Sequence, residues 1–171
     1  MACSQTLAGL TKDCNANRGG IVAVYIANYA DVTAITVTSG KISAITMDTG
    51  KKFKEYDFPK NTGNLTSTYT VDAASGVKYV TSDLLLQFNR METTKRVELS
   101  ALALADLRCL VKDANGTYFL LGFDEPVALS AGDGQTGTQR SDANRYTITL
   151  EDTSAEMPYE VDDSIISGIV A

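Results

Sequence analysis

A chain of 171 residues, 44% of them hydrophobic, can bury roughly two-thirds of the surface its unfolded form exposes, so one self-sufficient core is expected. Charged residues at 21% and 13 glycines exclude a disordered or collagen-like chain, and no apolar run approaches the roughly 20 residues that a membrane-spanning helix needs. A formal charge of -6 excludes a generic grip on nucleic acid, which rests on lysines and arginines neutralising phosphates.

In chain order, residues 1–20 form a polar arm, residues 21–162 a single β-rich domain and residues 163–171 a light tail. Ile21 to Ile26 is β-branched and aromatic, as a buried strand should be. Val32 to Thr38 alternates, turns at Ser39-Gly40 and returns as Ile42 to Met47, a hairpin closed by Asp48 to Gly50. Residues 51–64 carry four lysines with Phe53, Tyr56 and Phe58 before Pro59, which reads as a short edge strand whose lysines discourage unwanted pairing. Leu65 to Val71 alternates, and Val77 to Met91 holds two period-two runs, one long bent strand or two.

Residues 93–107 break the pattern: Val97, Ala101, Leu104 and Arg108 fall at helical spacing beside Leu99, Leu102 and Ala105, with Thr93 or Thr94 as cap. Cys109 to Lys112 and Thr117 to Phe123 then flank Asp113 to Gly116, whose Asn-Gly marks a hairpin. Pro126 to Leu129 reads as a short strand, residues 130–144 as a glycine-rich polar loop, Arg145 to Glu151 as an alternating strand, and Tyr159 to Val161 as a last one. The sum is a mostly β fold, an antiparallel sandwich or barrel of about eight to ten strands with one flanking helix.

No chemistry stands out. The chain has no histidine, which excludes Ser-His-Asp and Cys-His catalysis and histidine-based metal sites. Asp124-Glu125, Glu151-Asp152 and Asp162-Asp163 are sequence neighbours whose side chains point to opposite faces of a strand, so they read as solvated loop charge and not as converging acid–base pairs. Gly132 to Gly137 fits GxGxxG, but a strand follows where the dinucleotide fingerprint needs a helix. Catalytic residues, a cofactor or a bound metal are therefore not expected, and the chain reads as other than an enzyme. Cys3, Cys14 and Cys109 lack CxxC spacing and read as reduced thiols, a Cys3–Cys14 bridge being the lesser alternative. The first ten residues do not form a secretory signal, so synthesis in the cytoplasm is expected and the sequons at Asn64 and Asn115 carry no meaning.

The order of elements, the helical stretch QFNRMETTKRVELSALALADL and the segments NTGNLTSTYTVD, SAGDGQTGT and MPYEV together resemble the tail-tube-like structural proteins of tailed phages and prophages of gut Bacteroidetes. The resemblance covers most of the chain. It implies a β-sandwich with a flanking helix that closes into rings, often hexameric, through which DNA passes. The implied partners are copies of itself and other virion proteins, with only passive, non-specific contact to DNA, no membrane and no small-molecule substrate, and the implied location is the phage tail or neck. Contact candidates are Lys51, Lys52, Phe53, Lys54, Tyr56 and Phe58 in the basic stretch, Lys95 and Arg96 at the helix start, where a positive pair opposes the helix dipole, and Gly132, Asp133, Gly134, Gln135, Gly137 and Arg140 in the glycine-rich stretch. A neck ring, tail terminator or capsid-decorating protein shares this class. The rival from another class is a monomeric immunoglobulin-like adhesion or carbohydrate-binding module, although tryptophan is absent and the eight tyrosines and five phenylalanines are scattered.

Overall fold

The computed structural model describes residues 5–171 of the chain. Its elements are β1 (Ile21–Asn28), β2 (Val32–Thr38), β3 (Lys41–Met47), β4 (Lys54–Glu55), β5 (Asn64–Asp72), β6 (Val77–Asn89), α1 (Thr93–Leu104), β7 (Leu107–Asp113), β8 (Tyr118–Leu121), β9 (Ala128–Gln135), β10 (Arg145–Ser154), β11 (Tyr159–Val161) and α2 (Asp163–Ile169). The protein is a mostly β, largely antiparallel sandwich with a flanking helix. Its described residues hold eleven strands, of which β4 and β11 are only two and three residues long.

The strands form a seven-stranded sheet in the order β2-β3-β11-β8-β7-β1-β4 and a four-stranded sheet in the order β5-β6-β10-β9. The main core lies between them: Val24 and Ile26 of β1 and Leu107, Cys109 and Val111 of β7 meet Leu84, Leu86 and Phe88 of β6 and Ile148 and Leu150 of β10. A second core forms on the far side of the larger sheet, where Ile42, Phe53, Leu110, Leu120 and Val161 are covered by Ile166 and Ile169 of α2. Leu110 lies between Cys109 and Val111 and faces this second core, so the centre of β7 is apolar on both sides and reads as a continuous hydrophobic run.

Local chemistry explains the turns. Ser39 and Gly40 both have positive φ, 53° and 78°, the backbone a two-residue hairpin needs to match the twist of its strands. At the second hairpin only Gly116 (φ 94°) is left-handed, and Asp113 holds the loop by accepting the Asn115 and Thr117 N–H groups at 2.9 and 2.8 Å. Residues 77–89 form one strand of 13 residues.

Four readings are corrected. The stretch 163–171 is no light tail: Asp162 accepts the Ser164 N–H at 2.9 Å as the cap of α2, which drives Ile166 and Ile169 into the second core. Residues 130–135 belong to strand β9 (Ala128–Gln135) and not to the loop expected over 130–144, leaving 136–144 as the connection. Helix α1 ends at Leu104, three residues early, and its cap position is Glu92, with no side-chain cap from Thr93 or Thr94. The stripe Val97, Ala101, Leu104 faces solvent, with Leu104 at 92% exposure, whereas Leu102 is buried and Leu99 and Ala105 pack on the core. Arg108 belongs to β7, where its guanidinium lies 4.1 Å from the Tyr29 ring. The two apolar rows of α1 compete for one core face, and the chain's re-entry as β7 at Leu107 fixes which row wins.

Because the α2 cap is a single carboxylate on an otherwise short helix, Asp162→Ala is expected to lower the melting temperature by about 3 °C. Amide exchange should rise at Ile166–Ile169 and not in β6 or β10.

Candidate assembly surfaces

A sheet edge is a row of unpaired N–H and C=O groups, and a protein that is not meant to assemble usually shortens, charges or covers it. The seven-stranded sheet is blunted at one end. Its β4 pairs with β1 over two residues only, the flanking Lys51, Lys52 and Lys54 are exposed, and Val170 bridges to Phe53 beside it. At its other end β2 is unpaired on its outer side. The four-stranded sheet is open at both ends. Its outer strands β5 and β9 are nine and eight residues long, and among the described residues no backbone hydrogen bond reaches the outer side of either. Neither strand contains a lysine, an arginine or a proline.

All three pairings in this sheet are antiparallel, so with four strands the outer two run in opposite directions. Registers define its outward face, since residues directly opposite one another share a face. Thr66, Thr68, Thr70 and Asp72 stand beside Asp83, Thr81, Tyr79 and Val77; Thr147, Thr149, Glu151 and Thr153 continue the face on β10, and Asp133 and Gln135 on β9. This face is threonine-rich and carries four carboxylates against one guanidinium, Arg145, whose Nη1 donates to Gln87 at 2.9 Å.

Helix α1 lies across the side of the sandwich between β4 and β9 and so divides the expected contact residues into two groups. On one flank, Lys51, Lys52, Lys54 and Tyr56 line a concavity with Glu98, Ala101 and Leu102. The Tyr56 hydroxyl donates to the Glu98 carboxylate, and burial together with that carboxylate holds the phenol protonated. Lys52 reaches the Val170 carbonyl at 3.5 Å, and Lys51 lies 3.9 Å from Asp31. Phe53 is 0% exposed in the second core and so is not a contact residue, a correction whose cause is the pairing with Val170 that closes over it. Phe58 is half-buried against the main core.

On the other flank, Arg96 is exposed and shares a groove with Gly132, Asp133 and Gly134 of β9. Lys95 is not free for a neighbour. Its ammonium donates to the Asn89 and Arg90 carbonyls at 2.6 and 3.4 Å and pairs with Glu92 at 2.9 Å, which explains why a lysine is tolerated at a helix start. Gln135 ends β9, and Gly137 (φ 72°) turns the chain into a loop where Asp142 accepts the Thr138 and Gln139 N–H groups, leaving Arg140 exposed.

No protein-family model, curated protein or solved structure matches this chain. The surfaces above are therefore read on their own chemistry. Among the described residues no group of three or more histidine, cysteine, aspartate or glutamate side chains comes together. Glu151 and Asp152 do point to opposite faces, but Asp152 is not solvated: it is 2% exposed on the core side of β10, opposite Ser82. Burial first, and then the charges of Asp124 and Glu125, push its carboxyl up to about 6, against the N–H donated by Gly122. The nearby Cys109 thiol is raised by its own burial and by Asp152. Cys14 is free and exposed, and Cys3 with its alternative bridge lies outside the described residues.

Sequence reasoning missed the two open edges. For β9 a signal existed in the glycines themselves, because Gly132 and Gly134 alternate on one face as strand residues do, and glycine inside a strand marks a close approach.

Proposed function

We propose that this chain is a virion structural subunit of a tailed phage that closes head-to-tail into rings, forming or adjoining the tube through which DNA passes. The single observation that carries this reading is the four-stranded sheet with two open, oppositely directed edges of matched length. Joining β9 of one copy to β5 of the next continues an antiparallel sheet, uses the same contact at every step and leaves that sheet without an edge once the ring closes. The larger sheet cannot continue in this way, because β4 offers only two residues.

The layer with fewer strands takes the inner radius, which sends the threonine-rich face into the lumen and α2 to the outside. Six copies, the number common among the proteins this chain resembles, would bring about 24 strands at ~4.8 Å spacing, a backbone circle of at least about 37 Å across. That lumen would be lined by Asp72, Asp83, Asp133 and Glu151, charges that repel phosphates and let a duplex slide without being gripped.

Size-exclusion light scattering over a concentration series, with negative-stain imaging of any large fraction, tests the proposal. Rings or stacked tubes of one uniform diameter are expected. A strict monomer at high concentration, with neither ring nor tube, would overturn self-assembly and favour the carbohydrate-binding alternative.

A further inference from the structure

The faces of β5 and β9 that turn toward the interior of the sandwich are unequal. On β5 the row Leu65, Ser67, Tyr69, Val71 lies opposite Leu84, Ser82, Val80 and Lys78. Its first half is half-buried, and the Ser67 hydroxyl meets that of Ser82 at 2.7 Å. Its second half overhangs: Tyr69 and Val71 are 47% and 66% exposed, and the Lys78 ammonium sits 5.7 Å from the Tyr69 ring.

On β9 the matching row is Leu129, Gly132, Gly134, opposite Leu150, Ile148 and Tyr146. The chain itself explains Gly134, since a Cβ there would come within 3.0 Å of Met91 Cε and 3.1 Å of the Tyr146 ring. It does not explain Gly132. A Cβ at that position would meet Ile148 Cγ2 at 3.6 Å, Thr147 O at 3.7 Å and Leu129 Cδ2 at 3.9 Å, all ordinary contacts, and its φ is not left-handed. A strand interior disfavours glycine, so the bare position leaves a seat open. The seat is floored by Ile148 and walled by Arg96, Leu99 and Ala103 of α1.

We infer that Tyr69 of one copy seats over Gly132 of the next, its ring against Leu99 and Ala103 and beneath the Arg96 guanidinium. The inference rests on the head-to-tail pairing proposed above, which makes the two rows neighbours on one face. An aromatic ring lying across a bare glycine on the adjacent strand is a recurrent way of covering edge glycines, and a cation over the ring adds to the contact. The occupant is a second copy because the only chemistry needed is an overhanging aromatic on an antiparallel strand, which this chain presents at its opposite edge.

The test is the midpoint concentration for ring assembly. Tyr69 is exposed, so Tyr69→Ala leaves the monomer fold intact and should raise the midpoint about tenfold or more. Gly132→Val, which fills the seat, should do the same with no loss of monomer stability. Combined as Tyr69→Ala with Gly132→Leu, the side chain is returned from the other partner and assembly should recover toward wild type. As an independent check, Tyr69→Cys with Ala103→Cys in a background carrying Cys3→Ser and Cys14→Ser should form a disulfide between copies under mild oxidation. Rings that assemble at an unchanged midpoint in both single variants would overturn this inference and leave the ring intact. Wild-type protein that never assembles would overturn the ring and the inference with it.

Discussion

Val71→Pro in β5 and Gly132→Pro in β9, whose N–H groups lie on the free side of their strands, are each expected to abolish ring formation while leaving a folded monomer, and an equimolar mixture of the two is expected to stop at a heterodimer. Proline removes one N–H and restricts φ, which an edge strand tolerates on its free side and a paired strand does not. A copy blocked at β5 keeps a working β9, and a copy blocked at β9 keeps a working β5, so together they make one productive joint and no second. Circular dichroism checks that each variant folds, and mass determination of the mixture decides the geometry. A twofold contact of β5 with β5 makes the opposite prediction, since the variant blocked at β9 would then dimerise alone. Sedimentation showing such a homodimer, or full rings from either single variant, would remove head-to-tail pairing from consideration.

Asp152→Asn is expected to raise stability at pH 7.5 by about 2 kcal/mol, a size set by the shift of its pKa from the ordinary ~3.9 to about 6 with some discount for solvent in the adjoining cleft. The cause is a carboxylate 2% exposed, with Oδ1 unpartnered, one N–H donor from Gly122 and the negative charges of Asp124 and Glu125 nearby. Between its unfolded and folded pKa values the native state holds the extra proton, so this group's contribution is fully present below about pH 4 and is lost as pH rises toward about 6. Asp72, Glu92, Asp142 and Asp162 act with the opposite sign, because hydrogen bonds hold their pKa values below the ordinary range and their contribution is lost as pH falls through the folded values. The difference between wild type and variant isolates Asp152. Chemical denaturation from pH 4 to 7.5 should show the two curves diverging with rising pH, and parallel curves would show that Asp152 is solvated or paired in solution.

Much of the fold was legible because its signals are local. Alternation at Val32 to Thr38 and Arg145 to Glu151, and the turn at Ser39-Gly40, need only period two and two tolerated positive φ values. The site was less legible. From its place at the helix start Lys95 reads as a contact candidate, yet its partners are the Asn89 and Arg90 carbonyls six and five residues back, visible only once β6 turns into α1. Phe53 was grouped with its lysines by proximity in sequence, while Val170, more than a hundred residues away, buries it. The helix at 163–169 was missed because it is short and its apolar residues, Ile166 and Ile169, cover a second core that no single segment announces.

What the amino-acid order determined by itself is therefore the class: strands, tight turns, one long helix, an acidic surface and the absence of histidine chemistry. What only the tertiary structure decided is which strands are edges and which face is open. β9 joins its sheet through β10, and β5 through β6, so the freedom of both outer edges depends on where β6, ending at Asn89, and β10, beginning at Arg145, meet, two strands distant in sequence that the core between the sheets brings together.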